Sequence, residues 1–214
     1  MIVAIGHTKG GVGKSTITVQ LATYLRVIKG IEKVWVIDTD PQKSVSNSFI
    51  ERNANSKESI SCASYTNGKE LLQQVTTNKE YWDQILIDIG GRDSNVFRSA
   101  LMLADILIIP TIPRSYDLNA LNDLYSILEG AWGVGSNVKA KAFLSCADSQ
   151  GSANNEAIEY LKQFSEISFI DAPINRRKAI GIASSLGLSV FEFTPKDQKA
   201  CNEVEVLVKK IYGE

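Results

Sequence analysis

Histidine is nearly absent from this chain of 214 residues, which contains one, and cysteine is scarce, with three. The lone His7 cannot build a metal cluster by itself. Cys62, Cys146 and Cys201 are odd in number and far apart, which argues against a disulfide framework or a thiolate metal site and reads as the reduced thiols of a cytosolic protein. An excess of charge is lacking too: 23 basic against 24 acidic residues leave −1. Any affinity for a polyanion therefore needs a local patch, because overall charge supplies no pull. No uninterrupted apolar run approaches membrane-spanning length. The first residues lack a basic leader and run straight into a glycine loop, as a core strand does and a signal peptide does not. These absences lead to the expectation of a soluble, cytoplasmic protein.

What is present is ordinary globular composition, 44% hydrophobic and 22% charged, on a length that suits one large domain over 1–214. Short apolar runs alternate with helical patterns. The strand expectations are 2–6, 33–38, 84–89, 105–110, 139–145 and 167–171, with a weaker one at "LSVFE" (188–192). Several are apolar at consecutive positions, as strands covered on both faces are. Helices are expected over 15–29, 94–103, 115–130, 152–165, 176–186 and 197–212, and, in a polar stretch, over 44–54 and 68–76. The alternation predicts an α/β, doubly wound, mainly parallel sheet of about seven strands with helices on both faces.

"GGVGKS" stands between the first strand and the first helix, where a phosphate-binding loop belongs. Glycines let successive backbone N–H groups converge on one point, and the following helix adds its positive end. Lys14 is expected on the β- and γ-phosphates and the Ser15 hydroxyl on Mg²⁺, with the loop residues Gly10, Gly11, Val12, Gly13 and Thr16 completing the cradle. The bland alternative, a glycine turn that only joins strand to helix, is disfavoured by "GK[ST]" in this setting. One departure stands out: the general loop formula places glycine where this chain has Thr8, and a second lysine, Lys9, follows.

"KGGVGKST" resembles the deviant phosphate loop of the ParA/MinD family of ATPases, whose pattern is K-G-G-x-G-K-[ST]. The resemblance runs over nearly the whole chain. "VIDTDPQKS" (36–44) is similar to the family's D-x-D-P-Q segment, "ILIDIGG" (85–91) holds the place of its Walker B strand, and "ADILIIPTIPRSYDLNAL" (104–121) resembles the following strand and P-x-x-x-D loop. "GLSVFE" and the acidic-apolar last helix look most like the short plasmid-partition members. The resemblance implies the phosphate-loop ATPase fold, ATP and Mg²⁺ as ligands, and a homodimer closed by ATP in which Lys9 crosses to the partner's phosphates. It further implies that Asp38 and Asp88 hold the metal through water and that Asp40 positions or deprotonates the attacking water. Read from the residues alone, the alternative for Asp40 is a turn former or helix N-cap before Pro41. Pro113 and Asn175 sit where the family holds adenine, with ordinary loop roles as the alternative.

After Asp88 the chain departs from the family's T-P-P, reading "IGGRDS". Gly90 and Gly91 permit close approach to the γ-phosphate, and Arg92 reads as a solvated charge rather than a phosphate contact. Basic residues gather late: Arg176, Arg177, Lys178, Lys196, Lys199, Lys209 and Lys210. They would grip DNA phosphates without reading sequence if one dimer face presented them, and would be plain solvated charges if Glu203, Glu205 and Glu214 balance them. With no chain ahead of the first strand, an N-terminal helix-turn-helix domain is not expected. The apolar stripe Val204, Leu207, Val208 and Ile211 is expected to dock on the core rather than on a membrane. The resemblance thus implies a cytoplasmic, nucleoid-associated ATPase of weak intrinsic activity, stimulated by a ParB-like centromere-binding protein. A positioning ATPase for a protein assembly, a metabolic synthetase on the same fold and an iron-sulfur reductase are the alternatives; the scattered cysteines speak against the last.

Overall fold

The computed structural model describes residues 1–91, 93–148 and 152–213, with the side chains of 115–119 outside that description; Arg92 and Glu214 therefore lie outside it. The chain runs β1 (Ile2–Ile5), α1 (Lys14–Thr23, continued by a π-helical turn over Tyr24–Ile28), β2 (Val34–Asp38), α2 (Ser44–Ala54), β3 (Ser61–Ser64), α3 (Gly68–Asn78) and β4 (Gln84–Asp88). It continues with α4 (Asn95–Leu103), β5 (Ile106–Thr111), α5 (Ser115–Gly133), β6 (Lys139–Ala147), α6 (Ala153–Leu161), β7 (Ile167–Phe169), β8 (Ile174–Asn175), α7 (Lys178–Ser185) and α8 (Gln198–Tyr212). The strands lie in the order β3-β2-β4-β1-β5-β6-β7, with β8 also pairing with β6, and the pairs are parallel.

The consecutive apolar residues of the central strands have a simple cause. Ala4, Ile37, Ile87 and Leu107 feed the core on one face of the sheet, while Ile5, Val36, Leu86 and Ile108 feed the core on the other. Alternate side chains point to opposite faces, and both faces are roofed by helices, so neither set is polar. The stripe on α8 behaves as expected: Val204, Leu207, Val208 and Ile211 are buried in the second core. No described helix is long and apolar enough to cross a membrane.

Three strand assignments differ from the expectation. The run 188–192 is a series of turns rather than a strand. Three of its backbone amides bond to side chains, and none to a neighbouring strand: Val190 N donates to Gln20 Oε1, Ser189 N to Glu192 Oε2 and Phe191 N to Ser189 Oγ. Conversely, β3 and β8 were not anticipated, because the half-exposed "SCAS" and the two-residue "IN" carry no apolar pattern.

Buried Arg52 fastens this turn to α2. Its guanidinium donates to Glu192 Oε1 and Oε2, to Gly187 O and to Glu58 O, and the side chain is fully enclosed. Removing one member of such a pair strands the other. Arg52→Ala is therefore expected to lower stability by about 3–5 kcal/mol, read from urea unfolding; a loss under about 1 kcal/mol would mean that the turn holds without it.

Candidate functional site

Parallel register brings the chemistry together. Asp38 and Asp88 are direct partners across β2 and β4, and Asp88 is also the partner of Ile5. The loop leaving β1 therefore starts beside two carboxylates, at the C-terminal ends of the strands, where ligands of open α/β sheets bind. A cleft of about 910 Å³ opens here, lined among others by Gly10, Gly13, Lys14, Ser15, Asp40 and Gly91; Gly11 and Thr16 line it as well.

The loop conformation explains its glycines. Gly13 caps α1 in the left-handed region, with φ 96°. A Cβ there would also stand 2.8 Å from Ser145 Oγ at the end of β6, so both dihedral and space require glycine. Val12 is buried and anchors the loop. Lys14 is largely buried and donates from Nζ to the Lys9 carbonyl at 3.0 Å. Burial lowers its pKa, and the charges of Asp88 and Asp40 oppose the shift. An enclosed cation with this surrounding is a receptor for a polyanion. The segment after β4 closes in from above: a Cβ on Gly91 would lie 3.3 Å from Lys14 Nζ and 3.4 Å from Gly10 N.

Each carboxylate has distinct partners. Ser15 Oγ donates to Asp88 Oδ2 at 2.8 Å and Thr18 Oγ1 to Asp88 Oδ1 at 3.0 Å. Thr18 lies four residues after Lys14 on the same helix face, a spacing that would have flagged it from sequence. Asp38 Oδ2 accepts from Ser46 N and Ser46 Oγ, and Oδ1 accepts from Asp40 N. Asp38 thus caps the first turn of α2, whose own cap residue Lys43 has no acceptor to offer, and sets the position of Asp40. Asp40 Oδ1 accepts from Gln42 N, and its Cα lies 3.5 Å from where a Cβ on Gly90 would be. Thr39 ties the two strand ends, donating to Asp88 O and accepting from Gly90 N.

Burial raises the Asp88 carboxyl to about 7 from its ordinary 3.8, with Asp38 adding to the rise and the bonds from Ser15 and Thr18 opposing it. The fold thereby favours the protonated acid. That contribution to stability is present below the unfolded value and is lost as pH rises toward the folded one, at up to about 1.4 kcal/mol per pH unit. Urea unfolding of nucleotide-free protein should show declining stability between pH 4 and 7, and Asp88→Asn should flatten the slope. An equal slope in both proteins would sink this assignment.

A hard divalent cation suits this donor set. Ser15 and Asp88 offer oxygen only. That matches Mg²⁺, which takes one or two protein oxygens and fills its shell with water and substrate phosphate.

Pro113 and Asn175 do not line the cleft. Asn175 gives both its backbone N–H and its side-chain amide to Glu203 of α8, which also pairs with Arg177 at 2.6 Å. Of the late basic residues, Arg176, Lys178, Lys196 and Lys199 are exposed. Lys209 pairs with Glu205, and Lys210 donates to Asp171 O. Glu203 and Glu205 hence do balance part of the cluster, whereas Glu214 and Arg92 lie outside the described residues.

A family model described as the CobQ/CobB/MinD/ParA nucleotide binding domain matches residues 3–190. The chain is 22% identical over 209 residues to maintenance of carboxysome distribution protein A of Halothiobacillus neapolitanus, covering 97% of this chain and 94% of that protein. Among solved structures, an ATP complex of a McdA variant from Cyanothece superposes with a TM-score of 0.77 at 18% identity, over 99% of this chain and 96% of that one. A plasmid partition protein of Borrelia burgdorferi bound to AMPPNP gives a TM-score of 0.71 at 22% identity, over 98% of both chains. At these identities the two structures speak for a shared fold.

Proposed function

Because the chain belongs to the CobQ/CobB/MinD/ParA nucleotide-binding family, we propose that it is a ParA-type positioning ATPase, closed into a dimer by ATP and reopened by hydrolysis. The observation that carries this reading is the pair of lysines on one loop. Lys14 already faces the cleft as the phosphate cation, so the phosphate role within one subunit is filled without Lys9. Across a sandwich of two copies it reaches the phosphates held by the other. A metabolic synthetase on this fold has no use for a lysine at that spacing.

The proposed roles are these. Lys14 and the loop amides from Gly10 to Thr16 hold the β- and γ-phosphates. Ser15 would hold Mg²⁺, with Asp38 and Asp88 reaching it through water. When bound, that ion neutralises phosphate charge. Asp40 takes a proton from water as the water oxygen bonds to the γ-phosphorus. The bond to the β-γ bridging oxygen breaks, leaving ADP and phosphate. Lys9 of the second copy meets the charge that spreads over the transferred group. Pro113 and Asn175 remain the candidates for adenine, and Asn175 has to exchange Glu203 for the base to serve there.

For the cargo, we favour DNA partition in the cytoplasm, on the nucleoid, with a ParB-like centromere-binding protein stimulating hydrolysis. The exposed Arg176, Lys178 and Lys199 support it; Arg177, Lys209 and Lys210 contribute once their present partners release them. The full-length similarity to a carboxysome distribution protein favours a second reading, a protein assembly as cargo. Both readings share one test. In light scattering the protein should double its mass with ATP and Mg²⁺ and not with ADP. Affinity for random duplex DNA should need ATP and fall by roughly 0.9 log unit per log unit of salt for each phosphate neutralised. Equal, weak DNA affinity with and without ATP would reject the DNA-riding scheme.

A further inference from the structure

Lys9 works in trans only if its side chain leaves the loop in one direction, and the glycines that follow it supply no such restraint. The structure holds its peptide at both ends. Lys9 O accepts from Lys14 Nζ at 3.0 Å, and Lys9 N donates to His7 Nδ1 at 3.0 Å. The first hold is temporary under the function proposed above, because a bound triphosphate competes for Lys14. The second is not: His7 is fully buried, two residues past the end of β1. Between them, Thr8 Oγ1 donates to Ala120 O of α5.

We propose that His7 is a positioning residue for Lys9: through Nδ1 it fixes the Lys9 amide, and so the direction in which the lysine enters the second subunit. A ring nitrogen that accepts from an amide carries a lone pair, so a neutral His7 bears its proton on Nε2. The inference rests on the trans reading of Lys9. Misplacing a charged group by an ångström costs on the order of 10²-fold in rate, and that is the scale expected here.

The test uses the whole chain with His7→Leu, His7→Asn and His7→Gln, beside Lys9→Ala. Asparagine puts an acceptor oxygen where Nδ1 stands, and glutamine puts it near the place of Nε2. All three His7 variants should bind a fluorescent ATP analogue as the wild type does. The Leu and Gln variants should lose about 10- to 100-fold of the turnover that rises with protein concentration, and the Asn variant should restore it. Wild-type turnover in His7→Leu overturns the inference. So does better rescue by Gln than by Asn, or a loss that only tracks melting temperature and nucleotide affinity, since each points to packing alone. If Lys9→Ala keeps its turnover, the trans reading and this inference fall together. If Lys9→Ala loses it while His7→Leu does not, only the inference about His7 falls.

Discussion

Lys9→Ala will bind ATP as the wild type does and lose the part of its turnover that depends on a second copy. The expected loss is that of a cation supplied in trans to a phosphoryl group, about 10³–10⁵-fold. Affinity survives because the substitution leaves the loop backbone intact. The residue 9 carbonyl still receives Lys14, and its amide still reaches His7. The group removed touches nucleotide only in the closed dimer, where charge has begun to shift toward the leaving oxygen. Turnover measured against protein concentration, with nucleotide affinity measured separately, checks both halves. Unchanged turnover would remove Lys9 from the catalytic machinery, and equal loss of affinity would make it a ground-state phosphate ligand in its own subunit.

Asp40→Ala should cost about 10²–10⁴-fold in turnover, the usual worth of a positioned general base, while leaving ATP-driven association in place. Asp40 stands at the mouth of the cleft, held from behind by Asp38 and facing Gly90. One of its oxygens is occupied by Gln42 N. Removing the carboxylate takes away a proton acceptor and none of the phosphate or metal ligands. The variant should therefore accumulate as an ATP-loaded dimer whose dissociation is slowed along with hydrolysis, seen by gel filtration of protein loaded with ATP. Wild-type turnover would leave Asp40 as a turn former before Pro41. Failure to associate would mean that the loop it belongs to builds the interface itself.

The features legible in the sequence share a property. The phosphate loop, the DTDP turn and the aspartate closing β4 are each contiguous and each follow an apolar run, so strand, loop and chemistry are read in one pass. The stripe on α8 has helical period, and its burial follows. The features that were missed depend on residues far apart in the chain. Thr18 meets Asp88 across 70 residues, and Arg52 meets Glu192 across 140. The strand expected at 188–192 failed for the same reason: its amides are taken by Gln20 and Glu192, and an apolar run does not tell a strand from a buried turn. β3 carries serine at both ends on a sheet edge and shows no alternation to detect.

The sequence by itself determined what the loop can do: three glycines and two lysines on a strand-to-helix turn bind phosphate because backbone freedom and positive charge are local properties. Tertiary structure decided what surrounds that loop. The pairing of β2 with β4 places Asp38 beside Asp88 and gives one to α2 and Asp40 and the other to Ser15 and Thr18. Hydrogen bonds reach about 3 Å, and only the register of a folded sheet brings groups so distant in sequence within that reach.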